Sequence, residues 1–131
     1  MTTDIFLSDF DPDSNHHLVV EACNGAVWAY LLSGEDQKIL AHGLVCSQVE
    51  PVDEMEEPTD KTMPPPLVKR FANDHSVIPD LTEEQISIEW AGQKANVFID
   101  GILYLAMDID TRRAQSKSLS LPGRYGFPLE D

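Results

Sequence analysis

Apolar and polar positions alternate with a period of two through much of this 131-residue chain, the pattern of half-buried β-strands. In "HLVVEACNGAVWAYLL", Asn24-Gly25 separates two such runs, and both residues tolerate the positive φ that a type I′ turn requires. A two-residue loop sets Cys23 opposite Ala26, Glu21 opposite Trp28, Val19 opposite Tyr30 and His17 opposite Leu32, all on one face. The other face carries Leu18, Val20, Ala22, Val27, Ala29 and Leu31. It is wholly aliphatic and is the predicted core. A turn at "SGED", Ser33 to Asp36, leads to a third strand in "KILAHGLVCSQ".

The second half follows the same plan. "QISIEWA" alternates Ile86, Ile88 and Trp90 against Gln85, Ser87 and Glu89. Gly92-Gln93 turns this strand into "ANVFID", and Asp100-Gly101 turns that into "ILYLAMDI". The second turn sets Phe98 beside Leu103 on one face and Val97 beside Tyr104 on the other. Both faces are apolar there, so cover on both sides is expected. Helix signals are few: "PLVKRFAND", Pro66 to Asp74, suits two turns, and "LTEEQ" offers a capping-box start.

The predicted fold is therefore β-rich α+β or all-β, with little helix. It has two three-stranded antiparallel meanders and six to seven strands, in a single domain spanning residues 1–131. Between the meanders lies "EPVDEMEEPTDKTMPPP", residues 50–66, whose five prolines suit neither helix nor ladder. It reads as an exposed acidic loop. From about residue 120 the tail "SLPGRYGFPLED" reads as an irregular surface run.

Composition narrows the function classes. Residues 1–60 hold 13 Asp and Glu against one Lys, whereas residues 61–131 hold 10 acids against 8 bases, giving the net charge of −14. That balance disfavours nucleic acid and anionic membrane and favours a basic partner or plain solubility. No apolar run reaches membrane-span length, and "MTTDIFLSDFDPDSNHH" lacks the features of a secretory signal, so the expected location is cytoplasmic. Cys23 and Cys46 make no framework and read as thiols.

Candidate chemistry is weak at each position. Asp108 and Asp110 would sit on one side of a strand, yet a divalent cation needs more oxygen ligands than these two supply. The run from Asp9 has oxygen donors at calcium-loop positions 1, 3 and 5, but Ser14 and Val20 replace the required glycine and glutamate. His16 and His17 point to opposite faces of a strand. His42, between Leu40 and Leu44, reads as a core histidine. Arg112, Arg113 and Lys117 concentrate positive charge that either binds an anion or pairs with the acidic loop. No cofactor and no metal site is expected.

The strongest feature is the first hairpin face, where Trp28, Tyr30, Glu21 and His17 lie together. Amphipathic rings beside a carboxylate suit a protein interface and a partner's Arg or Lys; alternatively the tail or the second meander covers them.

The run "IEWAGQKANVFIDGILYLAMDIDTRR", Ile88 to Arg113, resembles the signature of a small bacterial family known as a domain of unknown function. The resemblance implies a tryptophan closing a strand, a glycine turn, a Lys-Ala opening, an Ile-Asn-Gly hairpin and an aspartate before an Arg-Arg pair. Trp90, Gly92, Lys94, Ala95, Ile99, Gly101, Asp108, Arg112 and Arg113 fall in register with that pattern. Asp100 stands where the family tends to asparagine and Tyr104 where it tends to histidine, so no role for that histidine transfers. "VVEACNGAVWAYLL" is similar to the family's first hairpin. The resemblance implies no activity.

The functional expectation is a small acidic non-catalytic binding protein of immunity or inhibitor type. It would engage a basic partner protein through His17, Glu21, Trp28 and Tyr30, with the acidic loop residues Glu50, Asp53, Glu54, Glu56, Glu57 and Asp60 steering the encounter. One alternative is a small metal- or carboxylate-dependent enzyme in which two of Glu21, Glu89 and Asp108 converge in a pocket between the meanders. Another is a homo-oligomeric structural module.

Overall fold

The computed structural model describes residues 4–23, 25–53 and 66–129. In chain order its strands are β1 (Phe6–Asp11), β2 (His16–Cys23), β3 (Ala26–Ser33), β4 (Ile39–Ser47), β5 (Ile86–Ala91), β6 (Lys94–Ile99), β7 (Ile102–Asp108), β8 (Ala114–Ser116) and β9 (Phe127–Pro128). Among the described residues, helix is confined to single 3₁₀ turns at Lys69–Phe71 and Glu83–Gln85. Strands β1 to β4 form one antiparallel sheet in sequential order. Strands β5 to β9 form the other, antiparallel except for the parallel pair β8 and β9.

The six expected strands are present as β2–β4 and β5–β7, and three more are added at the sheet margins. The first hairpin has the expected register, with Cys23 opposite Ala26, Glu21 opposite Trp28 and His17 opposite Leu32. Gly25 takes a φ of 83° in its turn, while Asn24 lies outside the described residues. Its aliphatic face is core: Leu18, Val20, Val27, Ala29 and Leu31 are fully buried against Ala95, Val97, Leu105 and Met107 of the second sheet. Each large aliphatic side chain so buried stabilises the fold by roughly 1.5–3 kcal/mol relative to exposure. Cys46 joins this core as a free thiol, pushed up to about 12 by burial.

Four expectations need correction. The first meander gains a fourth strand, since Phe6 to Asp11 form edge strand β1, its register running from Phe6 opposite Glu21 to Asp11 opposite His16. The pairing of Val97 with Tyr104 does not occur: a bulge between Val97 and Phe98 sets Val97 opposite Leu105, so Tyr104 and Leu105 both enter the core. Cover on both faces of that hairpin is only partial among the described residues, since Phe98 and Leu103 are half-buried and Ile102 is exposed. Finally, Pro66 to Asp74 makes one 3₁₀ turn rather than two helical turns.

The tail is also more than a surface run. Tyr125 is fully buried, its hydroxyl donating to the Pro66 carbonyl at 2.7 Å and accepting from the Val68 N–H at 3.1 Å. Together with Leu67, Val68, Phe71 and Leu119 it covers Trp28 and Leu44 on the outward side of β3 and β4. Its carbonyl also accepts the Leu44 N–H at 2.9 Å, and Ser47 exchanges bonds with Ser76 and Ile78, so the margin of β4 is occupied. An edge strand otherwise offers unpaired backbone to other chains. On the opposite margin, the Trp90 indole N–H donates to Asp9 at 2.8 Å and the Phe6 N–H donates to Glu83 at 2.9 Å, tying β1 to the second sheet.

Candidate partner-binding face

The registers of the first sheet align its outward side chains in three cross-strand rows. Phe10, His17, Leu32 and Ile39 form one; Ser8, Val19, Tyr30 and His42 the next; Phe6, Glu21, Trp28 and Leu44 the third. The tail cluster covers the β3 and β4 end of the third row, where Trp28 is 2% exposed. The rest is open to solvent. Phe6 is 59% exposed, Phe10 43% and Ile39 57%, while Val19, Tyr30 and Leu32 are half-buried. The Phe10 and His17 rings lie 4.6 Å apart, so the apolar surface continues from β1 onto β2.

Of the four residues expected to meet a partner, His17, Glu21 and Tyr30 stay on this face. Trp28 shares the face but is covered: Tyr125 and His42 stack near its ring at 5.8 and 5.7 Å, and it is buried. The aromatic rings exposed on this face are those of Phe6 and Phe10. Their signal was the spacing of Phe6, Ser8 and Phe10 at every second position, obscured by Asp9 between them and by Asp11 after them. Burial, then Glu21 and then Cys23, push the Tyr30 hydroxyl up to about 12, so it stays a neutral hydrogen-bond donor at physiological pH.

Negative charge gathers at one end of the face. The β1–β2 turn carries Asp11 and Asp13 and the β3–β4 turn carries Glu35 and Asp36, against one Lys38. The two turns are joined by a Gly34 N–H to Asn15 carbonyl bond of 2.9 Å. Of the acidic loop, Glu50 is exposed and Asp53 pairs with Lys69 at 2.9 Å, both exposed. Glu54, Glu56, Glu57 and Asp60 lie outside the described residues.

The other candidate groups do not assemble. Glu21 faces outward from the first sheet, Glu89 is exposed on β5 of the second, and Asp108 closes the turn after β7. These three do not converge between the meanders. Asp108 and Asp110 are not a strand pair either. The Asp108 carboxylate accepts the N–H groups of Asp110 at 2.9 Å and Thr111 at 3.0 Å. Those bonds, that of Thr111 foremost, hold it below the usual carboxylate range. Asp100 is a turn residue with φ of 50°, accepting from the Gln85 amide at 3.0 Å. His42 is exposed rather than core, because bulges in the β3–β4 ladder set it opposite Tyr30 on the outward face. Among the described residues, no three His, Cys, Asp or Glu side chains are grouped to hold a metal ion, and no helix is long and apolar enough to cross a membrane.

Comparison with protein-family models, with curated proteins and with solved structures returns no match to this chain.

Proposed function

We propose that this chain is a non-catalytic binding protein of immunity or inhibitor type, which receives a basic partner protein on the outward face of β1–β4. The observation that carries the reading is the exposure of Phe6 and Phe10 in the rows of Glu21 and His17, on either side of the row that holds Val19 and Tyr30. Aromatic side chains left in water on one sheet face mark a surface meant for burial, and interface centres are enriched in such rings and poor in charge. The acids at the row end supply the complementary part. With a chain charge of −14, they steer a cationic protein toward the apolar rows and repel acidic competitors. Membership of the small bacterial family that Ile88 to Arg113 resembles belongs to the same reading.

The test is affinity capture from the source cell with the wild type and with a Phe6→Ser/Phe10→Ser double variant, at low and high salt. Both rings are exposed, so the variant should keep the wild-type melting temperature. The expected result is a basic protein captured by the wild type at low salt, weakened at high salt, and reduced about tenfold or more by the double variant. No basic protein at low salt, or equal capture by both chains, overturns the reading. A concentration-dependent homodimer that the double variant abolishes would assign the face to a second copy instead.

A further inference from the structure

On the far side of the molecule, the outward face of the second sheet holds a cavity of about 540 Å³ that the partner-binding reading does not use. Its polar lining is Lys94, Asp108, Thr111, Arg113 and Gln115, and its apolar wall is Phe127 with Ala106, Pro122 and Pro128. The volume lies in the range typical of small-molecule sites, roughly 300–1,000 Å³.

The lining follows from the ladder. Lys94 at the start of β6 lies opposite Asp108 at the end of β7. On the next strands, Ala106 lies opposite Gln115 and Gln115 beside Phe127. Consecutive strands thus place a cation, a carboxylate, an amide and a ring on one surface. The turn from Asp108 to Arg113 closes through two bonds, Arg112 N–H to Asp108 carbonyl and Asp108 N–H to Arg113 carbonyl, each 2.8 Å. Arg112 adopts a φ of 60° to make that closure, a conformation unfavourable for a side chain of this kind. Arg113 then stands with its guanidinium carbon 5.1 Å from the centre of the Phe127 ring. The Lys94 charge acts on the Asp108 carboxylate opposite it and helps to keep it ionised, without a direct salt-bridge contact. Two of the chain's nine Lys and Arg side chains thus line one cavity.

Charge and shape together select the ligand. Asp108 belongs to the site and its turn bonds keep it ionised, so Lys94, Arg113 and Asp108 leave a single net positive charge. That balance suits a monoanion better than a phosphate dianion. The guanidinium fork matches a carboxylate in two parallel bonds, Lys94 adds a point charge, and Thr111 and Gln115 offer hydrogen bonds to a polar substituent. Phe127, 38% exposed, and the two prolines offer an apolar wall to the ligand body. We propose that this groove binds a small organic carboxylate with a flat apolar body, gripped by Arg113 and Lys94 and laid along the wall of Phe127 and Pro128.

The experiment is amide-resolved NMR titration of the full chain with benzoate, acetate and inorganic phosphate as separate probes. Benzoate should move the Thr111, Arg113, Gln115 and Phe127 amides along a saturable curve, with acetate weaker and phosphate weaker still. Arg113→Gln and Lys94→Gln should each weaken benzoate about tenfold while leaving the melting temperature nearly unchanged. Asp108→Asn keeps an oxygen acceptor for the turn and removes the negative charge. It should strengthen benzoate several-fold and admit phosphate, an outcome that a purely structural Asp108 does not produce. The proposal is overturned by the absence of saturable shifts, by phosphate binding the wild type more tightly than benzoate, or by Arg113→Gln binding benzoate as the wild type does.

Discussion

Gly43 shows how a single residue can govern the contact between the sheets. A Cβ added there would lie 2.4 Å from the Ala114 Cβ and 3.0 Å from Leu105 Cδ1, so β4 approaches β8 at a distance that only a missing side chain allows. Gly43→Ala is expected to destabilise the fold by about 1–3 kcal/mol through overpacking, read as a lower urea midpoint. Gly43→Ala combined with Ala114→Gly should recover most of the loss, because it returns one methyl group to the same space. Trp28 makes the complementary point. Its strand and its face were legible from the alternation, but its cover comes from Phe71 and Tyr125, distant in sequence. No local pattern in β3 encodes that cover.

Among elements, the β2–β3 hairpin was legible because its turn and its alternation agree, and a two-residue loop leaves one register. The β6–β7 hairpin was legible as far as Phe98 and Leu103. Beyond them a bulge shifts the ladder by one residue, and a bulge has no dependable signature in a run as uniformly apolar as "ILYLAM". Strand β1 went unread for a different reason. Its aromatic residues face outward while Asp9, on the other side, is satisfied by the Trp90 indole, the reverse of the usual polarity. The turn after β7 carries its own prediction. The Asp108 carboxyl is held below its ordinary value, about 3.9 in an unfolded chain, by N–H groups that favour the charged form. Its contribution to stability is therefore complete above that value and is lost as pH falls through the lower folded value. Asp108→Ala should lower the urea midpoint at pH 7, and the gap to the wild type should narrow as the solution is taken well below pH 4.

For the molecule as a whole, the tail acts as a latch. Tyr125 joins the segment at Pro66 and Val68 to the outward side of β3 and β4, with ring contacts to Phe71 at 5.2 Å and Trp28 at 5.8 Å. Tyr125→Phe keeps the ring and removes both hydroxyl bonds, leaving the buried Val68 N–H without that acceptor. The expected loss is about 1–3 kcal/mol, measured by urea or thermal unfolding. The same latch divides the first sheet's outward surface. Where the tail lies, the aromatic residue is buried; beyond it, Phe6 and Phe10 remain in solvent.

Alone, the sequence determined the strands β2 to β7, the registers beside the two glycine turns, the aliphatic core face and the acidity, because each is set by residues near one another along the chain. Tertiary structure decided which outward aromatics are covered, where the ladder bulges, that Gly43 meets Ala114, and that Lys94 and Arg113 line one cavity. Those outcomes join residues far apart in sequence. They depend on how the two layers and the tail pack together, which a local alternation of apolar and polar positions does not contain.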